Sequence, residues 1–176
     1  MTDFSLRPVD PDKDCEVLAA IYEPYVLEAW VSFEVVPPAP SEMKARAESI
    51  LERGLPYVVA EDSSGQVVGY AYAGPYRART AYRNSVESSI YLAASAHGKG
   101  LAKQLMESLI EACKAKKLKT MVAIVGLNPN VPLEDNQSIR FHKKFGFRFL
   151  GVLEDIGHKF GQWTGTAIFQ LPLDNE

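Results

Sequence analysis

A strand-like run, Val86 to Leu92, gives way at His97-Gly98-Lys99-Gly100-Leu101-Ala102 to an apolar periodicity that continues to about Lys116. No other stretch constrains the fold as much. Leu101, Leu105, Leu109 and Ala112 recur on one stripe, widened by Met106, Ile110 and Cys113, as an amphipathic helix requires. Two glycines and an alanine at its start keep side chains out of the way, so several main-chain N–H groups can converge on one point. That point is a helix N-terminus, where unpaired N–H groups and the positive end of the dipole favour an anion. A strand, a glycine-rich turn and a helix therefore predict a phosphate or pyrophosphate cradle. The same residues also suit an ordinary turn that needs glycine for its backbone angles, so the rest of the chain must decide. A dinucleotide fingerprint is excluded, because no third glycine follows and the preceding strand carries Glu87, Ser88 and Ser89.

Periodicity and breakers set out the remaining elements. Phe4 to Pro8 reads as a short strand, and Asp12 and Asp14 lead into a helix with Val17, Leu18, Ile21, Tyr22 and Tyr25 on one face. Pro37, Pro38 and Pro40 exclude regular structure before a second helix, capped by Ser41 and ending near Arg53-Gly54. Tyr57 to Glu61 and Val67 to Gly74 form a hairpin around Ser63-Ser64-Gly65. Arg77 to Arg83 is a polar loop, Thr120 to Val125 a buried strand, and Asn136 to Lys144 a short helix closed by Gly146. Two last strands, Phe147 to Leu153 and Thr166 to Leu171, flank a turn around Gly157 to Trp163. The order β-α-α-β-β-β-α-β-α-β-β predicts an α+β fold, a mixed sheet with helices packed on it. The glycine turn falls at the end of a central strand, where ligands enter such sheets.

At 176 residues the chain is expected to be one domain, 1–176, with a substantial core. Its net charge of −3 leaves no basic stripe for nucleic acid, and the cations from Lys114 to Lys119 suit a helix C-terminus. No apolar run approaches the ~20 residues of a membrane span. The first residues lack a basic region and an apolar core, so no secretory signal is expected and a cytoplasmic location is. Cys15 and Cys113 have no metal-ligand spacing and read as reduced packing residues. His97, His142 and His158 form no metal cluster either.

Longer motifs carry a resemblance. They are Ser32-Phe33-Glu34, Ala71-Tyr72-Ala73-Gly74-Pro75-Tyr76-Arg77-Ala78-Arg79, Tyr82 and Val86-Glu87-Ser88-Ser89-Ile90-Tyr91-Leu92. Further on come Ser138-Ile139-Arg140-Phe141-His142 with Gly146-Phe147, and Gly157-His158-Lys159-Phe160-Gly161-Gln162-Trp163. With these the chain resembles, over nearly its whole length, the GNAT N-acetyltransferase superfamily. Within it the match sharpens to the phosphinothricin and methionine sulfoximine N-acetyltransferase branch. The resemblance implies a mixed, mostly antiparallel central sheet flanked by about four helices, with a glycine-rich CoA pyrophosphate loop after the fourth strand.

It also implies acetyl-CoA as co-substrate, no metal, a small amino-acid acceptor and a homodimer. Gly98, Lys99, Gly100, Leu101, Ala102 and Lys103 would hold the phosphates, with His97 at the start of the loop. Ile90, Tyr91 and Leu92 would pair with the pantetheine arm as an added strand does, their backbone donors polarising the thioester carbonyl. The acceptor would meet Phe33, Arg77, Ala78, Arg79, Tyr82 and Glu87, and Lys159 and Trp163 would lie near its pocket. Four departures stand out. His97 replaces the usual Arg or Gln, which would weaken CoA binding or make it pH-dependent. Asp135 takes the place of an Asn that contacts CoA, leaving Asn136 one position late for that contact. Residues 128–134 form an insertion near the CoA channel, and Gly165 replaces an Asp.

Acetyl transfer to an amine needs a neutral amine and a route for its proton to leave. Glu87 alternates with Ser89 and Tyr91 on one face of its strand, and a carboxylate inside a central strand is expensive unless paired or functional. It is the candidate general base; an ion pair with Arg77, Arg79 or Arg83 is the structural alternative. Arg77 and Arg79 can clasp an amino acid's carboxylate and a second polar group. His142, where many GNAT enzymes carry a tyrosine, is either the acid that meets the departing thiolate or a helix-face histidine satisfied by a neighbour. Without a cysteine in the motifs, direct attack in a ternary complex is expected. Acceptors would be phosphinothricin, methionine sulfoximine or methionine sulfone. The alternatives are another small amine, a protein N-terminus, or a CoA-binding module without catalysis.

Overall fold

The computed structural model describes residues 4–173. Met1 to Asp3, on which the expected absence of a secretory signal rested, lie outside the described residues. The strands are β1 (Ser5–Pro8), β2 (Tyr57–Glu61), β3 (Val67–Pro75), β4 (Ser85–Leu92), β5 (Thr120–Gly126), β6 (Arg148–Lys159) and β7 (Gln162–Pro172). They form a seven-stranded sheet in the order β1-β2-β3-β4-β5-β7-β6. Its helices are α1 (Pro11–Leu27), α2 (Pro40–Glu52), α3 (Leu101–Ala115) and α4 (Gln137–Lys144). This is the expected element order, a mixed α+β sheet.

One ladder decides where a ligand can enter. Every strand pair is antiparallel except β4 and β5, which run parallel and pair only from Ser85 to Glu87 against Thr120 to Val122. Past Glu87 the two strands part, leaving a gap in mid-sheet. The stripe read from α3 seals one face of the sheet: Leu101, Leu105, Met106, Leu109 and Cys113 are all at 0% exposure. On the other face α1 buries Leu18, Ile21, Tyr22 and Val26, and α2 buries Met43, Ala47 and Ile50.

Local chemistry departs from the expectation at three places. Pro40 fills the first turn of α2, where its missing N–H is harmless, and Ala39 is the cap residue; Ser41 lies inside the helix. Asn136 is not the first residue of α4 but its cap, its Oδ1 accepting the Ile139 N–H at 3.1 Å. The last hairpin is longer and tighter than expected. Strands β6 and β7 reach Lys159 and Gln162, and a two-residue turn, Phe160 and Gly161, has positive φ at both positions. Irregular pairing between Phe149 and Gly151, and between Leu153 and Gly157, breaks the alternation of β6, so its part beyond Leu153 does not read as strand in sequence.

Candidate active site

A cavity of about 610 Å³ opens where β4 and β5 separate, walled by α1, the segment after it and α4. Glu87 sits at the point of separation, half-buried. Its carboxylate has no ion pair or hydrogen bond among the described residues, and Arg77, Arg79 and Arg83 are exposed on the loop beyond. Burial lifts its carboxyl above the ordinary carboxylate value. The ion-pair alternative is therefore not what the fold builds.

Strand geometry sets what faces the gap. Ala93 N–H bonds to the Val68 carbonyl of β3, so in the alternating ladder Tyr91 also directs its peptide groups to β3, whereas Ile90 and Leu92 direct theirs to the gap. The Tyr25 hydroxyl of α1 is already there. It donates to the Leu92 carbonyl at 2.8 Å and lies 3.2 Å from the Leu92 N–H. The single hydroxyl proton is thus committed, so the third contact, His97 Nε2 at 3.1 Å, places the proton on the imidazole nitrogen.

At the far end, Gly98 and Gly100 adopt positive φ of 73° and 82°, and Gly100 caps α3. A Cβ at either position would meet nothing within 4 Å, so the main chain lies open to a ligand. Leu92, Gly98, Ala102 and Phe141 line both the first cavity and a second of about 540 Å³ between α3 and α4. A continuous groove from Glu87 to a bare helix N-terminus fits an elongated molecule carrying a diphosphate. Gly100, Leu101 and Lys103 border its outer part; Lys99 and Asn136 border neither cavity.

On α4, Gln137, Ser138, Phe141 and His142 face the first cavity. His142 Nδ1 lies 2.7 Å from the Ser138 carbonyl, which can only accept, so Nδ1 carries the hydrogen. Burial holds this imidazole below its ordinary pKa, despite the opposing bond to Ser138. The ring is accordingly neutral, with Nε2 as an acceptor.

The α1–α2 segment closes the remaining side. Phe33 packs against Gly157 of β6, where a Cβ would collide with its ring. Glu34 receives Arg46 at 2.7 and 3.1 Å and the Tyr22 hydroxyl at 2.9 Å, which keeps its carboxyl below the ordinary value. Arg77, Ala78, Arg79 and Tyr82 are exposed between β3 and β4 and line neither cavity; Arg77 lies over the Tyr76 ring. Gly165 has a steric reason: a Cβ there would stand 2.5 Å from the Leu153 carbonyl. Sequence reading missed Tyr22, Tyr25 and Ser32 as cavity residues. Its only signal for them was the apolar stripe of α1 and the Ser-Phe-Glu motif.

Comparison with known proteins agrees with this geometry. Residues 11–167 match the family model of the acetyltransferase (GNAT) domain. The chain is 41% identical over 163 residues to the phosphinothricin N-acetyltransferase of Alcaligenes faecalis, covering 93% of this chain and 80% of that protein. It is 33% identical over 161 residues to the L-methionine sulfoximine/L-methionine sulfone acetyltransferase of Pseudomonas aeruginosa, covering 92% and 90%. The crystal structure of a phosphinothricin acetyltransferase from Sinorhizobium meliloti in complex with AcCoA superposes with a TM-score of 0.89 at 40% identity, over 98% of this chain and 89% of that one. A parted β4–β5 pair above an open glycine turn, in a chain with these relatives, belongs to the GNAT family of acetyltransferases.

Proposed function

We propose that this chain acts as one N-acetyltransferase domain that moves the acetyl group of acetyl-CoA to the α-amino group of a small amino acid. Phosphinothricin, methionine sulfoximine and methionine sulfone are the acceptors its relatives' names suggest. One observation carries the reading: Glu87 is a half-buried carboxylate without a partner among the described residues, at the apex of the gap. Burial raises its basicity toward the range where it can take a proton from an ammonium and later release it.

The steps follow from the residues. Main-chain N–H groups at Gly98 to Lys103 hold the diphosphate of acetyl-CoA, and the peptide of Ile90 takes the arm that carries the thioester. Glu87 removes a proton from the acceptor's ammonium, and the freed amine attacks the thioester carbon directly. Strand N–H groups in the gap stabilise negative charge on the thioester oxygen. The attacking nitrogen gives up its second proton, which goes to the departing sulfur, and the free Nε2 of the neutral His142 can relay it; a standing imidazolium there is disfavoured by burial. Arg77 and Arg79 receive the acceptor's acidic groups as it enters past the β3–β4 loop.

A second copy of the chain completes the enzyme. The edge strand β6 and its hairpin expose Phe149, Leu150, Leu153, Ile156 and Trp163, an apolar surface suited to a twofold interface. The reaction belongs to the cytoplasm, where acetyl-CoA is made available; among the described residues no helix is long and apolar enough to cross a membrane.

The test is direct. Acetyl-CoA and each acceptor should yield the N-acetyl amino acid and free CoA thiol, and Glu87→Gln should lower kcat by about a hundredfold or more. Full activity in that variant across the pH profile would remove Glu87 from the base role.

A further inference from the structure

On the face of the sheet that carries Glu87, five tyrosines stand together: Tyr22 from α1, Tyr57 from β2, Tyr70 and Tyr72 from β3, and Tyr91 from β4. Register explains the grouping. Tyr70 lies opposite Tyr91, Tyr72 opposite Ser89, and Tyr57 opposite Tyr72, so alternate residues of three strands meet on one side. The rings leave space beside them, a cavity of about 450 Å³ between the sheet and α2. Glu42 and Arg46, both open to solvent, border it on the outside, and Gly74 borders it on the sheet.

Tyr70 is wholly buried, and its hydroxyl has no hydrogen-bond partner among the described residues. Native interiors seldom leave such a group bare without water beside it. The cavity is large enough for several waters, and its tyrosine hydroxyls give them polar partners. It also lies next to the reacting centre. Gly74 is directly opposite Glu87, and a Cβ there would touch only the Tyr72 ring, at 3.8 Å. Tyr22 and Tyr91 border both this cavity and the one that holds Glu87.

Stoichiometry gives the cavity a task. An acceptor that enters as R–NH3+ reacts with acetyl-CoA to give R–NH–COCH3, CoA–SH and one H+. An N–C bond replaces the C–S bond, the sulfur takes one proton, and the other must reach solvent. With Glu87 as the base, its carboxyl holds a proton that it must shed before the next turnover, while its own cleft is filled by product. We propose that the tyrosine-lined cavity is hydrated and is the exit for this proton, from Glu87 across Gly74, past the Tyr70 hydroxyl, to the rim at Glu42 and Arg46. Tyr70 is a positioning residue here: it anchors water and touches no substrate. The assignment rests on Glu87 as the base.

A high-resolution crystal structure of the wild-type protein should show ordered water on the Tyr70 hydroxyl and in the space above Gly74; a dry cavity overturns the proposal. Tyr70→Phe should lower the Tm if water is held there, whereas a bare hydroxyl predicts a rise and would overturn it. Gly74→Val, or the smaller Gly74→Ala should the first fail to fold, plugs the passage. In Tyr70→Phe and in the Gly74 variant kcat should fall about three- to tenfold, with KM for both substrates unchanged and a larger solvent deuterium isotope effect on kcat. Wild-type kcat and isotope effect in both variants would exclude the route. Glu87→Gln separates the two ideas. Full kcat in that variant would end the base assignment and the route with it, while the water and Tm results would still report whether the cavity is wet.

Discussion

The ammonium of Lys159 donates to the Ser32 carbonyl at 2.6 Å, tying the tip of the β6–β7 hairpin to the segment that walls the acceptor side of the cavity. The same ammonium reaches the carbonyls of Ala29 at 2.7 Å and Tyr25 at 3.4 Å, the last of these in the final turn of α1. A cation there suits the negative end of the helix dipole. Lys159 is only 4% exposed and has no carboxylate among the described residues, and burial lowers its pKa. Lys159→Met should strip three carbonyls of their donor and cost roughly 2–3 kcal/mol in urea unfolding. Because Ser32 and Phe33 move with it, KM for the amino acid should rise while KM for acetyl-CoA stays put.

Glu87 should trade stability for activity. Burial holds its folded pKa above the ordinary value of 4.5, so between the two values the folded state binds more protons than the unfolded. The stability it contributes is present at low pH and lost as pH rises through the folded pKa. At neutral pH the ionised carboxylate is a net burden. Glu87→Gln should therefore be more stable than wild type at pH 7 while nearly inactive. Equal or lower stability in this variant would mean the carboxylate has favourable partners in solution.

What could be read from the chain was what depends on near neighbours. The α3 stripe from Leu101 to Cys113 and the glycine turn before it are local patterns, and both stand as expected. Glu87 drew notice for a local reason too: a carboxylate inside a central strand has few bland explanations. The end of β6 was hidden because its irregular pairing breaks alternation, and Gly157 reads as a turn when it is in fact the seat of Phe33. Tyr22 looked like a packing residue; its bonds to Ser32 and Glu34 exist only once α1 folds back on the following segment. Asn136 looked available for a ligand because the sequence did not reveal that α4 begins one residue later.

The tyrosine cluster should make the fold fail in alkali. Desolvation pushes Tyr22 up to about 12 and holds Tyr57, Tyr70 and Tyr91 well above 10, with Tyr25 and Tyr72 also raised. Above pH 10 the unfolded chain sheds phenol protons that the folded chain keeps, so stability falls as pH rises. Each fully retained proton steepens that fall by about 1.4 kcal/mol per pH unit. In an alkaline titration the tyrosinate absorbance of these residues should appear together with loss of helical circular dichroism. Tyr57→Phe should flatten the slope; early tyrosinate absorbance from a still-folded protein would contradict the burial.

The edge strand predicts the assembly. Sheet edges are usually short, charged or covered, yet β6 is long and exposes Leu153 at 44%, Ile156 at 54% and, across the hairpin, Trp163 at 62%. A second copy covering this surface would bury the apolar side chains and close this edge to further growth. Sedimentation should then give twice the chain mass of 19.5 kDa. Ile156→Asp places a charge in the middle of the patch and should yield a folded monomer. Phe33 leans on Gly157, next to the substituted residue, so the monomer should also bind the amino acid less well than the dimer does. A wild-type protein that sediments as a monomer at all concentrations, or an Ile156→Asp variant that remains dimeric, would show that the partner of this face is something other than a second copy.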